Sequence, residues 1–227
     1  MSELPALYRL RQVVSSIGRA ARFTQYYAIN QWADSESRSG AGSRQDSPSV
    51  RHALETLSEV TNRYSIRTMA DIPCGDFNWM STHLSAWPAV DYIGFDIVGR
   101  LVKRNQEAFP GRRFAKLDIV AMVPPPSDLI FCKDLLNHLE TSEIVQTVAN
   151  MRRSGSKYLL ASNNFGYPNQ KLTRSRYISS RHVDLMAAPF HCSQPIWHDH
   201  YFGLWLLADM ECRSPVIDAP PAARPSD

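Results

Sequence analysis

Ala70-Asp71-Ile72-Pro73-Cys74-Gly75-Asp76-Phe77-Asn78-Trp79-Met80 is the stretch on which the fold turns. An apolar run ends in a carboxylate, the chain breaks at Gly75, and a segment able to start a helix follows. Strand, turn and helix in that order build the ligand cradle of α/β domains. The turn frees backbone N–H groups at a helix N-terminus, and the strand-end acid can meet a polar part of the ligand.

Outward from this turn, strands and helices alternate. Residues 66–72 read as a first strand and 77–84 as a short helix. A second strand, 90–96, ends in Asp96, and a helix over 98–109 is stopped by Pro110-Gly111. A third strand spans 113–119 with Asp118 near its end, and a fourth spans 127–133 after the Pro124-Pro125-Pro126 loop. Thr141 is expected to cap a helix to about Arg153, followed by a fifth strand, 157–162, and a last one near 201–207. This spacing predicts a largely parallel sheet with helices on both faces.

On the N-terminal side, Ser47-Pro48 supplies an N-cap and a proline at the first helical position, and apolar spacing carries a helix to about Arg63. Before it, Ser35-Glu36-Ser37-Arg38-Ser39-Gly40-Ala41-Gly42-Ser43 reads as a flexible linker or a loop that orders on ligand. Residues 6–23 form an N-terminal helix whose Leu10, Val13, Val14, Ile17 and Ala21 share one face. That face is expected to pack on its own domain; membrane-surface binding or targeting is the alternative. The domain organisation is thus 1–47, a helix and lid loop; 48–212, the ligand-binding domain with an acceptor-side insert at 163–197; and 213–227, a disordered tail.

With 227 residues and a formal charge of +3, the chain suits one domain with appendages, and the balance is thin support for a nucleic-acid partner. No apolar run is long enough to span a bilayer. The four cysteines are scattered without a CxxC pair, and Cys74 and Cys132 sit at ends of buried strands as small hydrophobes. A reducing, cytoplasmic setting is the reading.

Asp71, Asp96 and Asp118 each lie at or near a strand end, so a parallel sheet would gather them at one crevice. Asp96 is suited to two ribose hydroxyls, and Asp118 to an adenine amino group with Leu117 and Ile119 against the ring. A dinucleotide pyrophosphate needs G-x-G-x-x-G, whereas here one glycine, Gly75, is followed by Phe77 and Trp79. S-adenosylmethionine (SAM), which carries no phosphate, is therefore favoured over NAD.

The run 71–80 resembles motif I of the class I SAM-dependent methyltransferases, and particularly a bacterial subgroup with DIPCGDFNWM-type motifs. Glu36-Ser37-Arg38-Ser39-Gly40-Ala41-Gly42-Ser43, Tyr92-Ile93-Gly94-Phe95-Asp96-Ile97-Val98, residues 128–139 and 153–160 are also similar, so the resemblance spans 36–205. It implies a Rossmann-like fold, a mostly parallel seven-stranded sheet with helices on both faces. It also implies Asp71, Cys74 and Gly75 at the methionine end of SAM, with Pro73 and Phe77 in the same turn where the commoner pattern has glycines. It implies Asp96 with Ile97 at the ribose, Asp118 with Ile119 at the adenine, and Lys133 and Asp134 in the floor near the sulfonium.

For the methyl acceptor, Cys132-Lys133-Asp134-Leu135 stands where amine methyltransferases of nucleic acids have [DNS]-P-P-[YFW], which disfavours that chemistry. His138 is a candidate general base, and His191 a second one. His198-Asp199-His200 is read as solvated loop, and no metal is expected; Lys171, Arg174, Arg176 and Arg181 make this segment basic. The expected function is methyl transfer from SAM to an oxygen, in preference to nitrogen, of a small molecule or glycan. The alternatives are a weak or inactive SAM-binding partner protein and a protein or RNA methyltransferase.

Overall fold

A computed structural model describes residues 6–172 and 180–213, with side chains from residue 14 onward. Helices are α1 (Ala6–Ala28), α2 (Pro48–Arg63), α3 (Asn78–His83), α4 (Gly99–Ala108) and α5 (Thr141–Arg153). Strands are β1 (Thr68–Asp71), β2 (Asp91–Asp96), β3 (Arg113–Lys116), β4 (Leu129–Cys132), β5 (Tyr158–Ser162), β6 (Trp197–His198) and β7 (Phe202–Leu206).

The strands form one sheet in the order β3-β2-β1-β4-β5-β7-β6. Strands β1 to β5 are parallel, and β7 runs antiparallel to both β5 and β6. This is the Rossmann-like, mostly parallel seven-stranded sheet expected. The chain order reverses on either side of β1, so a crevice opens where the C-terminal ends of β1 and β4 part.

Period-two alternation distributes the sheet's side chains between two cores. Ile130, Cys132, Leu159 and Ala161 face Ile144, Val148 and Met151 of α5. Leu129, Phe131, Tyr158 and Leu160 face Val50, Ala53, Leu57 and Val60 of α2. The two-residue β6 was not anticipated from sequence. Ser47 caps α2 as expected, its Oγ accepting from Val50 N–H at 3.1 Å. The cap of α5 is Glu140 rather than Thr141, because Glu143 reaches back to the Glu140 N–H at 2.9 Å.

Two further expectations are corrected. The described part of the apolar stripe of α1 does not pack on the domain: Val14, Ile17 and Ala21 are exposed, and the helix docks through the face that carries Arg19 and Phe23. Cys74 and Cys132 are free and buried as expected, but Cys192 and Cys212, read as scattered, form a disulfide. Their segments lie side by side as an isolated antiparallel bridge, a proximity that a spacing of 20 residues does not announce. The predicted tail beyond residue 213, and Arg174 and Arg176, fall outside the described residues. Among the described residues no helix is long and apolar enough to cross a membrane.

Candidate functional site

A cleft opens at the C-terminal edge of β1, β2 and β4. Asp71 and Asp96 come from strand ends, and Pro73, Cys74, Gly75 and Asp76 from the turn after β1. Ile97 lines the way into α4, and Lys133, Asp134 and His138 come from the segment after β4. Nine of the residues expected at the site from sequence are therefore together here.

Four others are placed differently. Phe77 is in the core, packed on Tyr92, Phe109 and Phe114. Its φ of 58° starts α3 and points the ring away from the cleft. His191 is exposed, next to the disulfide, and lies outside this cleft. Asp118 and Ile119 border an adjoining cavity of about 30 Å3, room for about two waters and not for a purine; on its other side Asp118 edges an open groove of about 800 Å3 along α1, with Ile97, Lys116 and Met122.

That cavity is small because α1 covers it. The Arg19 guanidinium donates to both oxygens of Asp118, at 2.9 to 3.2 Å, and its other arm lies 3.3 Å from Glu143. Phe23 lines the same space. Arginine's planar fork matches a carboxylate in this way, and a buried pair of this kind closes the seat expected for adenine.

The turn after β1 is equally self-contained. Gly75 N–H donates to Asp96 Oδ2 at 3.3 Å, Asp76 N–H to Ser39 Oγ at 3.0 Å, and Phe77 N–H to the Cys74 carbonyl at 3.3 Å. Asn78 N–H donates to Asp76 Oδ1 at 3.4 Å. No N–H of residues 75–78 is left to cradle a phosphate, and the Asp76 carboxylate adds negative charge where one would sit. Gly75 has φ +54°, and a Cβ there would lie 2.4 Å from Ser39 Oγ. The glycine is thus required by the approach of the chain's own residues 37–39. That loop is stapled to the turn: the Ser37 and Ser39 hydroxyls and the Arg38 N–H all donate to Asp76.

Electrostatics single out the two strand-end acids. Asp71 is pushed up to about 7, first by burial and then by the Asp96 charge; a hydrogen bond from Tyr92 O–H at 2.7 Å works the other way. Asp96 is pushed up to about 6 by burial, although the N–H groups of Val98 and Gly75 favour its charged form. Among the described residues neither makes an ion pair. Lys133 lies near Asp71, but its ammonium is bound to Asp134 Oδ2 at 2.5 Å. Burial alone would raise the Asp134 carboxyl; Lys133 and the Tyr201 hydroxyl outweigh it and hold it below the usual range.

Asp134, at φ 55°, also borders a second cleft, lined by Asn137, Ser162, Asn164, Arg181 and Tyr201. Almost every side chain there is polar, and the Arg181 Nε is buried without a hydrogen-bond partner. Sequence reasoning missed Trp32, Arg38 and Tyr27, which reach the first cleft from the N-terminal segment, and Tyr201, which donates to Asp134. Long-range docking carries all of these, and no local spacing signals it.

No protein-family model matches the chain, and no curated protein matches it. Solved structures are similar at low identity. Magnesium protoporphyrin IX methyltransferase from Synechocystis PCC 6803, with bound SAH, is 15% identical with a TM-score of 0.45, over 73% of this chain and 82% of that one. The PH0226 protein of Pyrococcus horikoshii OT3 is 16% identical, with a TM-score of 0.49, over 71% and 92%. SAM-bound CalS10, an amino pentose methyltransferase from Micromonospora echinaspora, is 17% identical with a TM-score of 0.41, over 59% and 53%. At such distances the chemistry must come from this chain's own residues.

Proposed function

We propose that this chain is a SAM-dependent methyltransferase that moves the methyl group to an oxygen of a small molecule or glycan. The observation that carries the reading is the pair of buried carboxylates, Asp71 and Asp96, lining one cleft without an ion pair. Such a cradle suits a ligand that brings its own positive charge and hydroxyl donors. SAM supplies both, a sulfonium and an ammonium together with a ribose diol. NAD also carries a cation, but its pyrophosphate would meet the sealed turn and Asp76.

In this reading Asp71 faces the charged methionine end and Asp96 accepts from the ribose hydroxyls. The seat expected for adenine at Asp118 and Ile119 is covered by Arg19, so the donor enters with α1 displaced. The acceptor occupies the polar second cleft and presents its hydroxyl across Asp134. SAM bound in the first cleft would supply an electrophilic methyl group on a sulfonium; Asp134 would orient the acceptor hydroxyl toward it, and the His138 imidazole would take the hydroxyl proton. The Asp134 carboxylate, held ionised beside His138, stabilises the imidazolium so formed. The rest of the acceleration is positioning of two reactants, worth up to about 7–11 kcal/mol when geometry is good.

Calorimetry with SAM and with SAH tests the donor assignment. One site per chain is expected for each, and absence of binding to the unmodified protein overturns the reading. Asp96→Ala is expected to weaken SAM by about 2 kcal/mol, the loss of charge-assisted hydrogen bonds. Unchanged affinity would remove the ribose role from Asp96.

A further inference from the structure

In the N-terminal half of α2, His52 meets the short connection between β6 and β7, where Asp199 and His200 follow one another. One ligand atom from each of His52, Asp199 and His200 lies within 4.8 Å of the others. His52 Nε2 is buried and 2.9 Å from Asp199 Oδ2, yet the two do not meet in hydrogen-bond direction. Metal–ligand lengths near 2.1 Å put neighbouring ligands of one tetrahedral ion about 3.4 Å apart. The ring centroids of His52 and His200 are 4.6 Å apart and the rings are inclined at 34°, so the two imidazoles lie against one another.

The surroundings hold this arrangement. Asp199 Oδ1 accepts from the N–H groups of Tyr201 at 2.6 Å and Phe202 at 2.7 Å, which fixes the carboxylate and leaves Oδ2 turned toward His52. The Phe202 ring stacks on His52 at 5.7 Å, and the Thr56 hydroxyl lies 3.4 Å from Asp199 Oδ2. His198 is turned elsewhere, its Nδ1 against the Asp199 carbonyl and its ring on Phe165. The contiguous His198-Asp199-His200 is therefore not the cluster; the third member comes from α2, nearly 150 residues earlier in the chain. A protonated His52 paired with Asp199 would account for two of the three residues. It leaves His200, and the misdirected approach of Nε2 to Oδ2, without a reason.

We propose that His52, Asp199 and His200 bind one divalent transition-metal ion of the Zn2+ type. Two imidazoles and one carboxylate suit such ions, whereas Mg2+ and Ca2+ take oxygen ligands. His200 is exposed, so solvent completes the coordination sphere. Bound there, the ion ties α2 to the turn whose next residue, Tyr201, donates to Asp134 between the two clefts.

The test uses the untagged full chain, freed of metal by chelation and titrated with ZnCl2 by calorimetry and with Co2+ by visible absorption. The disulfide keeps Cys192 and Cys212 from competing as thiolates. One saturable ion per chain is expected. His200→Ala and His52→Ala should each lower the affinity at least about tenfold, since loss of a ligand costs no less than loss of an outer-shell partner. His198→Ala should leave it unchanged. Because His200 is on the surface, its variant keeps the fold, which circular dichroism checks, and it decides the matter if His52→Ala does not fold. No saturable binding, or an affinity that survives His200→Ala, overturns the proposal.

Discussion

Asp71 and Asp118 are both carboxylates at the C-terminal edge of the same sheet, and both are nearly buried, at 3% and 6% exposure. They differ in what covers them. Asp118 is clasped by the Arg19 fork from α1, with Glu143 behind it, so its charge is matched within the chain. Asp71 is met by a phenol from Tyr92 and by the repelling charge of Asp96, and burial raises it to about 7. One acid holds the fold's appendage down, and the other holds charge in readiness for something that arrives. Burial of an acid alone marks neither role; the presence or absence of a partner cation separates them.

The largest way to break this comparison is Asp71→Asn. The folded-state pKa of Asp71, about 7, stands above the ordinary value of 3.8. Between about pH 4 and 7 the folded chain therefore holds a proton that the unfolded chain has lost, and stability falls as pH rises through that window. Above pH 7 the penalty is complete, about 4 kcal/mol for a gap of about three pH units. An asparagine keeps the shape and still accepts from Tyr92. Urea midpoints should show the variant up to about 4 kcal/mol more stable than wild type at pH 8 and nearly equal to it at pH 4. The same variant should lose SAM affinity. A variant no more stable at pH 8 would mean that Asp71 is already neutralised by the protein.

Asp118→Asn should go the other way. It leaves the buried Arg19 guanidinium with Glu143, at 3.3 Å, as its remaining carboxylate, beside the Ser15 hydroxyl at 2.7 Å. Breaking one side of a buried pair costs about 3–5 kcal/mol, and the surviving Glu143 contact argues for the lower end, about 3 kcal/mol. Hydrogen exchange of the α1 amides at neutral pH reads this even if only the helix undocks. If Asp118→Asn instead slows exchange in α1, the two acids are alike and the comparison fails.

The sheet was legible in the sequence because β4 and β5, buried on both faces, and the amphipathic α2 obey simple periods. The strand-end acids were legible because each closes an apolar run. What escaped were contacts between segments far apart in sequence. Arg19 meets Asp118 across 99 positions, and Ser37 meets Asp76 across 39. Phe77 stood in the cofactor motif and was read with it, yet one left-handed residue turned its ring into the core. The loop at 36–43 looked flexible by composition, but its small residues are what allow hydroxyls and N–H groups to reach Asp76 closely.

The smallest effect sharpens the comparison most at its outer edge, on α1 itself. By helical periodicity, Val14, Ile17 and Ala21 form the side that ought to dock, and Arg19 the side that ought to face water. The structure reverses this: Ile17 is 65% exposed and Arg19 is 3% exposed. A buried arginine with a bidentate partner holds the helix to the domain in place of the apolar stripe, because its planar fork meets both oxygens of Asp118. Ile17→Ser removes apolar surface that is already in water, so its effect on stability should stay within about 0.5 kcal/mol, the range of ordinary surface substitutions. The hydrogen-exchange rates of α1 should likewise hardly change, against the large change expected for Asp118→Asn. A loss of 2 kcal/mol or more in Ile17→Ser would show the helix docked through its apolar face. Arg19 would then be free of Asp118, and the seat beside Asp118 open.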